Sequence, residues 1–86
     1  MNKQNDAMPR AAKQRSVLHE NFRQNLRSVR KIKGLTQQQL ADRLHVARTC
    51  IADFERGRNP PGLLLIERIA AALRIHPLTL LRRPDK

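Results

Sequence analysis

Residues 37–54 read QQQLADRLHVARTCIADF, and the fold turns on this stretch. Leu40, Ala41 and Leu44 fall on one helical face, and Ile51 and Phe54 resume the pattern after a short gap. Two short helices joined by a turn of about three residues follow from that spacing. Ala41 is small where the two helices must cross closely, and Leu44, Val46 and Ile51 fill the angle between them. The other side chains of the second helix are short or polar: Arg48, Thr49, Ala52 and Asp53. An exposed helix of that make-up, on a positive domain, suits a DNA major groove.

Working outward, Thr36 and Gln39 form a capping box that starts the first of these helices. Upstream, Leu18, Phe22, Leu26 and Val29 step by four, four and three, one face of a helix from Ser16 to about Lys33 that Gly34 stops. Downstream, the helix from about Arg48 to Arg56 ends at Gly57, and Arg58 to Gly62 is a rigid polar turn. A fourth helix over about Leu63 to Leu73 is expected to bury Leu63, Ile66, Ile69, Ala70 and Leu73. A fifth opens at Pro77, with His76 as cap, and buries Leu80. Five short helices with short connections predict a compact all-α domain over 16–83, with no internal repeat. Residues 1–15 show no apolar period and read as a flexible basic arm, either a solvated tail or a segment that tracks phosphates; 84–86 read as frayed.

A chain of 86 residues holds one small domain whose stability gains from a partner. Its 18 Lys and Arg against 7 Asp and Glu give a net charge of +11, which points to nucleic acid first and an anionic membrane second. More than half of that excess lies in residues 1–33, yet the rest of the chain is also positive. The single cysteine, Cys50, has no internal partner, and a reducing compartment fits. No 18-residue apolar run and no signal-type apolar segment is present, so a soluble cytoplasmic, nucleoid-associated protein without a membrane partner is expected. His19, His45, His76 and Cys50 lack metal-ligand spacing, Ser16 and His19 lack an acidic orienter, and the three glycines sit at helix ends. Neither a metal, a cofactor nor catalysis is therefore expected.

The whole pattern resembles the Cro/phage-repressor-like helix-turn-helix family, also called the xenobiotic-response-element (XRE) family, from about Phe22 to Leu81. The likeness runs through LRSVRKIKGLTQQQLA, VARTCIADFERGR, Pro61 and IERIAAALRIHPLTLL, and rests on the joint spacing of Arg30, Gln37, Leu40, Ala41, Ile51, Glu55, Gly57, Pro61 and Leu73. It implies a five-helix, lambda-repressor-like DNA-binding domain. By position, it implies base reading by Arg48 and Thr49, with Ala52 and Asp53 facing the same groove; Asp53 either accepts from cytosine or pairs with Arg56. Gln37 is implied as a phosphate contact, and Arg56, Arg58 and Asn59 as phosphate contacts or a solvated loop. Arg30 and Glu55 are implied to form a partly buried structural ion pair. His45 stands where relatives often carry Gly, and Ala47 where Ser or Thr often caps. Leu64, Leu65 and Leu78 replace residues usually polar, so these three with Leu81 are the candidate two-fold interface. The expectation is a sequence-specific regulator of transcription on double-stranded DNA, a homodimer on a palindromic operator. The alternative is an antitoxin or coactivator-like module that holds a protein partner.

Overall fold

In a computed structural model, residues 16–84 are described; the basic arm expected over 1–15 and the last two residues lie outside that range. The described residues form helices α1 (Val17–Ile32), α2 (Gln37–Leu44), α3 (Arg48–Arg56), α4 (Leu63–Leu73) and α5 (Pro77–Leu81). Local chemistry sets most of the boundaries. The Ser16 hydroxyl accepts from the His19 N–H at the start of α1. At α2 both halves of the capping box are present: the Gln39 N–H donates to Thr36 Oγ1 at 3.0 Å, and the Thr36 N–H donates to Gln39 Oε1 at 2.8 Å. His45 ends α2 in the left-handed region, φ 59°, and Gly57 ends α3 at φ 84°. Ala47 occupies the N-cap of α3 with no side-chain cap. His76 caps α5 through Nδ1, which accepts from the Leu78 N–H.

The core gathers Phe22 and Leu26 of α1, Leu40, Ala41 and Leu44 of α2, Ile51 of α3, four residues of α4 and Leu80 of α5. Ala41 is fully buried, the small residue that lets α2 and α3 approach closely. Phe22 meets Phe54 edge to face, with ring centroids 6.4 Å apart. Each fully buried leucine or isoleucine contributes roughly 1.5–3 kcal/mol. Two residues depart from the periodic reading. Leu18 is 55% exposed and Leu63 is 75% exposed. Each sits in the first turn of its helix, and that turn projects past the edge of the core. Just before α4, Pro61 is buried while Leu63 is not.

Side chains also tie the helices together through backbone carbonyls. Asn25, 7% exposed, donates from Nδ2 to the carbonyls of Leu80 at 3.0 Å and Arg82 at 2.7 Å, and Asn21 donates to that of Leu81. A five-residue helix leaves most of its carbonyls without an internal partner, and these two asparagines supply one. Arg43 of α2 donates to the Ala72 carbonyl near the end of α4, and Arg68 of α4 donates to the Leu44 carbonyl at the end of α2. A cation at a helix C-terminus also opposes the negative end of its dipole. Among the described residues, no helix is long and apolar enough to cross a membrane.

Candidate nucleic-acid interface

α3 divides its faces sharply. Ile51, Ala52 and Glu55 are buried, whereas Arg48, Thr49 and Arg56 are exposed and Asp53 is half-buried. Arg48 and Thr49 form the first turn of the helix, beside the three-residue link His45–Ala47. Ala52, grouped with the reading residues on sequence grounds, is only 5% exposed. Its methyl forms part of a concavity of about 250 Å³ lined also by Arg27, Arg30, Gln37, Arg48, Glu55 and Arg56. A position one turn along the reading face can thus be closed over by its neighbours, which spacing alone does not reveal.

Beneath this surface lies a connected polar chain. Arg30 Nε donates to Glu55 Oε2 at 2.6 Å and Arg30 Nη2 to Glu55 Oε1 at 3.1 Å, a two-point pair whose side chains are 9% and 5% exposed. Arg30 Nη1 also donates to the Leu35 carbonyl at 2.7 Å, so the guanidinium binds the link between α1 and α2 as well. Gln37 Nε2 donates to Glu55 Oε1 at 3.1 Å, and Gln37 Oε1 accepts from Arg48 Nη1 at 3.1 Å. A carboxylate only accepts, so Glu55 orients the Gln37 amide with its nitrogen inward and its oxygen toward Arg48. The exposed guanidinium at the start of α3 is therefore positioned, through one amide, by the buried ion pair. Sequence reasoning read Gln37 as a phosphate contact; in this structure both ends of its side chain have partners within the protein.

The rim of the face is basic. Arg56 bonds Asp53 at 3.0 Å, the i, i+3 pairing that competed with a base contact for Asp53. Arg58 and Asn59 are exposed, and Asn59 sits at φ 46°, a region Asn tolerates better than most residues. Gly57 has two reasons to be glycine: its φ is 84°, and a Cβ there would lie 3.1 Å from Arg23 Cδ. Arg23 itself bonds Glu20, and that hydrogen bond, with the charge of Glu20, holds its guanidinium above the ordinary arginine value against the opposing effect of burial. On α4 and α5, Leu64 and Leu78 are 73% and 64% exposed, while Leu65 and Leu81 pack half-buried against the core. Among the described residues, no group of three or more His, Cys, Asp or Glu could hold a metal ion.

A family model described as Helix-turn-helix matches residues 26–80. Over 48 residues the chain is 50% identical to an uncharacterised helix-turn-helix transcriptional regulator of Methanothermobacter thermautotrophicus, covering 56% of this chain and 70% of that protein. Over 52 residues it is 42% identical to the immunity repressor protein of Bacillus phage phi105, covering 60% of this chain and 36% of the repressor. Among solved structures, a hypothetical transcription factor from Neisseria superposes with a TM-score of 0.74 at 36% identity, over 78% of this chain and 77% of that one. The restriction-modification controller protein C.AhdI of Aeromonas hydrophila gives 0.67 at 36% identity, over 74% and 94%. The matched span includes the polar chain from Arg30 to Arg48 and the whole of α2 and α3, so the protein belongs to the helix-turn-helix family, in its Cro- and phage-repressor-like (XRE) branch, a family of DNA-binding transcriptional regulators and not of enzymes.

Proposed function

We propose that this chain regulates transcription by binding a palindromic operator as a homodimer, with α3 in the major groove. The observation that carries this reading is the first turn of α3: Arg48 and Thr49 stand exposed, and Arg48 is held in place through Gln37 by a buried ion pair. A pre-positioned arginine fork matches guanine O6 and N7, and threonine offers a methyl to thymine or a hydroxyl to a neighbouring acceptor. Asp53 reads a base only if it releases Arg56. Arg56, Arg58, Asn59 and the N-terminal end of α2 at Gln37 then hold phosphates, fixing register without carrying sequence. Ala52 contributes the floor between these contacts. The exposed Leu64 and Leu78, flanked by Leu65 and Leu81, supply the two-fold contact, which sets the two copies of α3 about 34 Å apart on one face of the duplex. On this reading the protein works in the cytoplasm at the nucleoid.

Selection of bound sites from random duplexes at fixed salt tests the proposal. The expected outcome is a two-fold symmetric consensus with centres about one helical turn apart. Enrichment of no sequence would overturn it. A second reading draws on Leu63, Leu64 and Leu78, which leave a large share of apolar surface uncovered. The same leucines would seat a different protein, as in an antitoxin or a coactivator-like module. Sedimentation distinguishes the two, because the lead reading requires self-association without any other chain.

A further inference from the structure

α1 carries three arginines, Arg23, Arg27 and Arg30, spaced four and three residues apart. Residues at that spacing are neighbours on a helix, and like charges there repel. Two of the three are neutralised. Glu20 bonds Arg23, and the buried Glu55 bonds Arg30 at two points. Arg27, between them, is exposed and pairs with no carboxylate among the described residues. The fold thus keeps an uncompensated positive charge in the middle of a basic row.

Arg27 lines the concavity around Ala52, together with Arg48 and Arg56. The one carboxylate in that lining, Glu55, is already engaged by Arg30 and Gln37. What remains facing outward is an excess of guanidinium donors over a small methyl floor. Such a lining repels a cation and offers little to an apolar ligand. An anion with several acceptor oxygens fits it, because arginine presents its N–H groups as a planar fork. The concavity adjoins Arg48 at the start of α3, so the nearest anion to a groove-bound α3 is the sugar–phosphate strand itself.

We propose that this concavity seats one backbone phosphate of the duplex, with Arg27 of α1 as its principal donor. The proposal rests on the DNA-binding reading above and extends the contact surface beyond the two helices of the motif. Arg27 carries position and not sequence, because every base pair presents the same phosphate. Its contact limits how deeply α3 enters the groove, and so sets the reach of Arg48.

The test compares wild type, Arg27→Ala and Arg27→Lys on the selected site and its single-base variants, across a salt series, by fluorescence anisotropy. Arg27→Ala should lower affinity by the same factor on every variant and reduce the slope of log affinity against log salt by about 0.9 for each half-site, hence about 1.8 for the dimer on its two-fold site. Arg27→Lys should keep that slope. The melting temperature of Arg27→Ala should be unchanged or raised, because a repulsive neighbour has been removed. An unchanged slope, or a loss confined to one base pair, overturns the proposal. Saturable Arg27-dependent binding of inorganic phosphate strong enough to displace DNA at fixed ionic strength would overturn the assignment to the duplex, giving the seat to a free anion. If wild type binds every duplex alike, the regulator reading fails, while the slope comparison still judges Arg27. If wild type binds no duplex, both fail.

Discussion

Glu55 bonds two residues that lead to different parts of the molecule, Arg30 in α1 and Gln37 in α2, and reaches Arg48 of its own helix through Gln37. Its removal should therefore act twice. Glu55→Ala leaves the Arg30 guanidinium buried and unpaired, and thermal or denaturant unfolding should show a loss of about 3–5 kcal/mol. A variant as stable as wild type would contradict the buried pairing. Gln37→Ala separates the second effect from the first. It should cost little stability but reduce discrimination at the base pair that Arg48 is proposed to read. Arg48→Ala should itself cost about 1–3 kcal/mol there, and adding Gln37→Ala to it should remove nothing further. Uniform weakening on all sequences by Gln37→Ala would return Gln37 to a plain phosphate contact. Arg30 and Glu55 were legible in the sequence because a family pattern places them. The Gln37 bridge was not, because residues 18 and 11 positions apart meet only once α2 and α3 have crossed. Asn25 was missed for a similar reason: a polar residue beside Leu26 gives no sign that it will be buried against carbonyls 55 and 57 residues away.

At the scale of elements, starts and stops were the most readable features, because they depend on neighbours in sequence. Thr36 with Gln39, Gly57, and Pro77 after His76 all mark boundaries where chemistry within three residues decides. The link between α2 and α3 is where that local chemistry is weakest. Ala47 holds the extended backbone of an N-cap, φ −74° and ψ 149°, without a side-chain acceptor. Ala47→Ser should satisfy one free N–H of α3 and stabilise the fold by about 0.5–2 kcal/mol. A gain near the middle of that range would raise the melting temperature by roughly 4–8 °C in a domain this small, as calorimetry would show. Helical period named the core faces of α1 and α4 but not their limits. Leu18 and Leu63 obey the period and stay exposed, because period gives direction and says nothing of how far the opposing layer extends.

Among the described residues, Leu64 and Leu78 are two of the large apolar side chains that face solvent. In the proposed dimer, Leu64→Asp combined with Leu78→Asp should yield a monomer by sedimentation. Its melting temperature measured at low concentration, where wild type also dissociates, should barely change, because both side chains already face solvent. Operator affinity should fall to that of a single half-site. A double variant that still sediments as a dimer would place the two-fold contact elsewhere. The all-α architecture was legible from periodicity and caps together, since no long-range pairing has to be guessed when each helix announces itself locally.

α1 is bonded to both α5 and α3. From its first turns and its middle, Asn21 and Asn25 grip the end of α5, and near its finish Arg30 grips α3 through Glu55. The helix is thus one rigid element between the proposed subunit contact and the proposed reading helix, with a polar clamp to each. In the proposed dimer, two such elements meeting at a dyad act as a ruler. A duplex whose half-sites are moved apart by half a helical turn, about five base pairs, presents the second site on its far side. With no hinge between clamp and clamp, the protein would grip one half-site and let the other go.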